Sequence, residues 1–209
     1  MLDNGSYITI DRISDRLKVS RSTIVNDLEE IRLQLDRMQI KLETKTNKGL
    51  RVSEKESRIR NLLTDMLIQK SWSSTPVFYQ MLLDLFDPSC SWPEIREFVR
   101  AFHKKRRKEL DQDTLQTICS CFFTVLNRSC KGAHPSLTEV LDAEMFDGPQ
   151  WIVQLGESLF SAFGLELSNN ERRYFLSYLQ KHIAQPKAAS EEIVNIQVMT
   201  CLLYTSRCV

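Results

Sequence analysis

Arg21, Ser22, Thr23 and Asn26 place four hydrogen-bonding side chains within six consecutive positions. A guanidinium offers two N–H donors in one plane, and a carboxamide sets a donor beside an acceptor. Those shapes match the exposed edges of guanine and adenine, and hydroxyls serve either. The elements that must position them are legible around them. Ile13, Leu17, Val19, Ile24, Leu28, Ile31 and Leu35 form an apolar stripe of helical period, broken once at Lys18-Val19-Ser20. Ser20 is a good N-cap, so a second helix opens at Arg21 with polar side chains on its first turn. Two short helices joined by such a turn predict a helix-turn-helix, in which that first turn faces base edges in the major groove. The competing reading is an ordinary solvated helix face, with Ser22 and Thr23 helping only to start it.

Behind the second helix, Ile40, Leu42 and Thr44 alternate with charged residues, and Leu50 and Val52 alternate around Arg51. Asn47-Lys48-Gly49 between them tolerates positive φ, so the stretch predicts a β-hairpin with Lys45 and Lys48 at its tip. A hairpin in this place is the wing of a winged helix. Lys18, Lys45 and Lys48 are then the candidates for phosphate contact. Only Met1–Gly5 precede an extended lead-in at Ser6–Thr9, too little for the helix that usually opens such a domain. Either that helix is missing or Met1 is not the true start.

The 209 residues suffice for one or two domains, and 42% hydrophobic with 26% charged residues is the balance of a globular chain. No apolar run is long enough to span a membrane, and the N-terminus lacks the basic and apolar regions of a secretory signal. The net charge of +1 hides an asymmetry: residues 1–60 carry 13 Lys and Arg against 10 Asp and Glu, and the rest carry 15 against 17. A mildly basic head on a mildly acidic body suits a DNA-binding module with a regulatory domain. The six cysteines, Cys90, Cys119, Cys121, Cys130, Cys201 and Cys208, contain no Cys-x-x-Cys pair, so they read as reduced, mostly buried cytoplasmic thiols and not as a zinc site.

From Ser57 onward the pattern is helical: Asn61–Lys70, Pro76–Phe86, a long helix from Trp92 to about Leu110, then Asp113–Ser129, Pro149–Phe163 and Asn169–Ile183. Ser91 and Pro93 mark the start of the long helix, and Lys131–Pro135 reads as a loop. The fold class expected is mostly α: a winged helix-turn-helix with a short hairpin wing, followed by a helical bundle. The divisions are 1–56 for the winged helix, 57–90 for a helical connector, 91–185 for the bundle and 186–200 for the start of a following helix or domain. Cys201–Ser206 is similar to a translation of the transposon end used to prepare sequencing libraries, so 201–209 is read as an adapter artefact, against the plainer reading of an apolar helix end.

The stretch Ile8–Leu28 resembles the helix-turn-helix of BglG-type bacterial transcriptional regulators, which carry a Mga-like winged helix followed by phosphotransferase-system regulation domains (PRDs). Lys48-Gly-Leu-Arg-Val52 and Glu56-Ser-Arg-Ile-Arg60 are similar to the same family, although Glu54 stands where a glycine is usual. About Trp92 to Ile183 resembles one PRD, on Asn127-Arg-Ser-Cys-Lys-Gly132 and Phe163-Gly-Leu-Glu-Leu-Ser-Asn-Asn-Glu171. The resemblance implies an activator of carbohydrate-utilisation genes that binds double-stranded DNA as a homodimer. It also implies phosphotransferase-system proteins as partners, which modify PRD histidines. The positions where the family has those histidines, seven before Arg128 and seven after Glu171, are Cys121 and Tyr178 here. Phosphate control is therefore expected elsewhere, on a further domain beyond Thr200.

His103-Lys-Lys-Arg-Arg-Lys108 is the densest basic run and reads first as a solvated helix stretch, since so many successive charges cannot share one face. His103, His134 and His182 are the only histidines and read as surface or capping residues; His182 lies one turn past the family position at Tyr178. Cys121 and His134 lack an orienting third group and an oxyanion site, so no catalytic set is expected, nor a metal or cofactor. Two other functions stay open: an RNA-binding antiterminator of the same broad family, and a PRD that binds a protein partner while its incomplete winged helix binds nothing.

Overall fold

The computed structural model describes residues 7–68, 91–107, 109–141, 147–166 and 168–183. The expected helix at Pro76–Phe86, Cys90, Cys201, Cys208 and the segments 186–200 and 201–209 lie outside the described residues. The architecture is mostly helical: α1 (Ile10–Leu17), α2 (Arg21–Arg37), β1 (Lys41–Lys45), β2 (Gly49–Ser53), α3 (Glu56–Ile68), α4 (Trp92–Lys105), α5 (Gln112–Cys130), α6 (Leu137–Leu141), α7 (Gln150–Ala162) and α8 (Asn169–Ile183). These residues form two compact units, divided between Ile59 and Arg60 within α3.

In the first unit the chain makes its helix-turn-helix by capping both sides of one short turn. The Thr9 hydroxyl accepts the Arg12 N–H to start α1. Lys18 ends it in the left-handed conformation at φ 54°, and the Ser20 hydroxyl accepts the Thr23 N–H to start α2. Ile24, Leu28, Ile31 and Leu35 are buried along α2 and Ile13 along α1, as the stripe predicts. Two stripe members depart from it: Leu17 is half-buried and Val19 is 36% exposed, because the turn between the helices carries Val19 off the packed face. The hairpin is antiparallel with Leu42 opposite Val52 and Glu43 opposite Arg51, and its turn holds Asn47 at φ 62°. Ile8 adds a bridge on its far side, exchanging both backbone hydrogen bonds with Leu50 at 2.8 Å. Gly49 permits that bridge: at φ 102° its position suits no L side chain, and a Cβ there would lie 2.1 Å from the Ile8 carbonyl oxygen.

In the second unit α5 is the central helix, packed against α4 and α8, while α7 packs on α8 and α4. Residues 117–128 of α5 are buried on every side, which is why its sequence is apolar or small and neutral almost all round. Phe122 centres the core in edge-to-face contact with Phe160, Phe163 and Phe175, at ring-centroid distances of 5.5, 5.3 and 6.2 Å. α4 stops at Lys105, earlier than its sequence pattern predicts, where Arg107 turns left-handed at φ 54°. The loop after Cys130 contains the short α6, which the sequence reading did not anticipate.

Candidate nucleic-acid interface

α2 presents two unlike sides. Ile24, Leu28, Ile31 and Leu35 face the core, and Arg21, Ser22, Val25 and Asn26 are exposed. The spacing i, i+1, i+4, i+5 puts those four on one strip of the helix surface. Thr23 is exposed too, but its hydroxyl lies 2.7 Å from the Ser20 Oγ, and the Ser22 hydroxyl lies 2.8 Å from the same atom. Both hydroxyls thus join the cap cluster that starts the helix while staying exposed on its surface. Arg21 forms an ion pair with Asp11 of α1, with both side chains more than 60% exposed. Such a pair is worth little in water and leaves the guanidinium able to change partner.

The basic wing tip takes shape as expected. Lys45 and Lys48 are exposed on either side of the turn, and Lys18 is exposed at the end of α1. Arg51 is committed elsewhere: its guanidinium bonds the Glu43 carboxylate across the hairpin and lies 4.8 Å over the Tyr7 ring. Arg51 first of all, with help from Ser53 and Tyr7, holds the Glu43 carboxyl below its usual value. The sequence reading did not single out Asp11 or Val25. Val25 was visible as an apolar residue off the buried stripe, whereas Asp11 becomes relevant only when α1 packs beside α2.

Cys121 and Tyr178, the two positions singled out by the resemblance, lie inside the second unit. Cys121 is wholly buried, and burial pushes its thiol far up. Tyr178 is 4% exposed and donates its hydroxyl to Asp65 Oδ1 at 2.6 Å, with His182 stacked on its ring at 4.1 Å. Cys119 is also buried, its thiol pushed up to about 12, while Cys130 is exposed. Brief iodoacetamide treatment of the native chain is therefore expected to label Cys130 and spare Cys119 and Cys121, which react only after denaturation. Peptide mapping would check it, and native labelling of Cys121 would contradict the packing.

The histidines divide three ways. His182 stacks as described. His134 is exposed, with Nδ1 2.8 Å from Glu171 Oε1. His103 is not a surface residue: it packs edge-on against Trp151, and neither ring nitrogen has a hydrogen-bond partner among the described residues. The basic run it opens therefore divides, with His103 inward, Arg106 bonded to Gln154, and Lys104, Lys105 and Arg107 in solvent.

Burial, then the charge of Arg106, pushes the His103 ring below its ordinary 6.5. The unfolded chain takes up this proton more readily than the folded one. Stability is thus whole above about 6.5 and falls as pH drops through that value toward the lower folded pKa. His103→Phe keeps a ring against Trp151 and removes both nitrogens. Thermal melts between about pH 7 and 5 are expected to lose that part of their acid slope; an unchanged slope would place the titration elsewhere.

One cluster escaped the sequence reading altogether. Arg60 of α3, fully buried, forms a two-pronged ion pair with Glu171 of α8 and donates to the Ala133 carbonyl at 2.7 Å. The Ser129 hydroxyl donates to Glu171 at 3.0 Å, and the Arg60 guanidinium lies 5.2 Å over the Tyr174 ring. Burial alone would raise the Glu171 carboxyl, but Arg60, His134 and Ser129 together hold it below its usual value.

Among the described residues no helix is long and apolar enough to cross a membrane, and no group of three or more His, Cys, Asp or Glu could hold a metal ion. No curated protein matches the chain. Residues 1–51 match a family model described as an HTH domain. With the two capped helices and the hairpin behind them, that match makes the first unit a helix-turn-helix domain, the module of a DNA-binding regulator.

Proposed function

We propose that the protein is a transcriptional regulator of carbohydrate-utilisation genes, an activator that binds double-stranded DNA as a homodimer in the cytoplasm under phosphotransferase-system control. The observation that carries the DNA contact is the two-sided α2: one side is all core, and the other exposes Arg21, Ser22 and Asn26 beside a wing tipped by Lys45 and Lys48. Arg21, Ser22, Thr23 and Asn26 read base edges, the Ser22 and Thr23 hydroxyls being shared with the Ser20 cap, and Lys18, Lys45 and Lys48 meet phosphates. Residues 1–56 are the DNA-binding domain, 57–90 the connector and 91–185 the PRD. Dimerisation through the PRD would set two such helices on half-sites one helical turn of DNA apart, about 34–36 Å. The sugar link and the phosphate input rest on the family resemblance. The burial of Cys121 and Tyr178 supports placing the phosphorylated histidines outside this PRD.

The test is selection of a site from randomised duplex DNA by the full chain, followed by titration against that duplex and against an RNA hairpin. Specific duplex binding that weakens steeply with salt is expected, because phosphate contacts release counterions. Preference for the RNA hairpin would replace this reading with the antiterminator, and no salt-dependent binding to either would favour a protein-interaction domain.

A further inference from the structure

Val25 has no place in the core. It is 44% exposed on α2, while Ile24, Leu28, Ile31 and Leu35 of the same helix are 0–2% exposed; the helix's other exposed apolar residue, Leu33 at 63%, lies two turns further on, away from Arg21, Ser22 and Asn26. Stability does not ask for it. A β-branched residue on a solvated helix position is a poorer helix former than alanine, and its exposed methyl groups gain nothing from water. Its neighbours on the surface are polar, with Arg21 one turn before it, Ser22 beside it, Asn26 next in sequence and Glu29 one turn after. An isolated apolar patch of one side chain, bracketed by groups able to hydrogen-bond, matches one feature of the major groove: the C5-methyl of thymine, the only apolar group that a base edge presents there.

We propose that Val25 is a specificity-determining residue that packs on a thymine methyl in each half-site, and this rests on the DNA-binding reading above. The helix sets the distance. Four residues at 1.5 Å each separate Arg21 from Val25 by about 6 Å along the axis. Base pairs rise 3.4 Å, so the thymine lies within about two base pairs of the guanine that Arg21 contacts. The order of contacts along α2 thus predicts a feature of the operator, a guanine and a thymine close together in every half-site.

The test replaces one thymine at a time by deoxyuridine in the selected duplex, which deletes only the methyl and leaves every hydrogen bond in place. Binding by the full chain and by Val25→Ala is then titrated on each duplex. One replacement, near the guanine that Arg21→Ala makes indifferent, should weaken the parent chain about fourfold, the worth of one buried methyl-sized group. The same replacement should weaken Val25→Ala less than twofold, since the partner of the methyl is gone. Alanine suits an exposed helix position, and circular dichroism would verify that the variant is folded.

Specific binding that ignores every thymine methyl, or a sensitivity that persists undiminished in Val25→Ala, overturns the proposal and leaves DNA binding standing. A Val25→Ala change in oligomeric state with unaltered thymine dependence does the same and assigns the residue to a protein contact. Failure to select any duplex removes the proposal together with the reading beneath it.

Discussion

Arg60→Met is expected to destabilise the helical unit by about 3–5 kcal/mol, the usual consequence of leaving one member of a buried ion pair without its partner. Arg60 is 0% exposed and Glu171 1%, so water cannot replace the guanidinium. The variant also strands the Ala133 carbonyl and weakens the tie between α3, the loop after α5 and α8. Removing both charges should be far milder: in Arg60→Met/Glu171→Gln neither member of the pair leaves an unpartnered ion, and Ser129 and His134 still have an amide oxygen to bond.

Urea unfolding followed by the fluorescence of Trp92 and Trp151, both in this unit, would read the losses as shifts in midpoint at unchanged slope. The acid limb carries a second signature. The parent's Glu171 carboxyl is held below 4.5, so its contribution is whole above that pH and disappears as pH falls through the lower folded value. In Arg60→Met the carboxyl is buried without its cation and takes up a proton more readily, so the stability difference from the parent should narrow in acid. A loss below about 1 kcal/mol at neutral pH would mean that the pair is solvated in the working protein.

Arg21→Ala is expected to weaken binding to the selected duplex by about 1–3 kcal/mol and to relax preference at one base pair, because one bidentate contact is lost. Lys48→Ala should instead weaken specific and random duplexes alike and lower the salt dependence by about one phosphate. The ion pair with Asp11 sharpens the comparison. In the free protein Arg21 rests against that carboxylate, an exposed pair worth at most about 1 kcal/mol, which must part before the guanidinium can reach a base. Asp11→Asn should therefore leave affinity equal or slightly higher with the specificity pattern intact. Equal losses on specific and random DNA for Arg21→Ala and Lys48→Ala would make both phosphate contacts and leave base reading to Asn26 and Val25.

Local patterns were enough to read most of the architecture. The break at Lys18-Val19-Ser20, the N-caps Ser20 and Ser91, the hairpin with Asn47-Lys48-Gly49 at its turn and the span of α8 all follow from preferences acting over a few residues. Errors fell where local preference yields to packing. Val19 has the spacing of a core residue and sits in the turn; His103 has the company of surface cations and faces Trp151. The early stop of α4 is a boundary that no strong breaker announces, whereas Ser136 and Glu139 give the short α6 a capping-box spacing that the sequence reading passed over.

The candidate interface divides along the same line. By itself the sequence determined that α2 has one apolar and one polar side and that lysines tip the hairpin, because helix and strand periodicities decide which residues share a face. Only the tertiary structure decided which side chains on that face are committed. It set Asp11 against Arg21 and engaged Arg51 with Glu43. It also buried Arg60 against Glu171, 111 positions away in the chain. Periodicity reports the direction in which a side chain points from its own helix. What it meets there depends on elements brought alongside by burial of the core, and no spacing in the sequence records that.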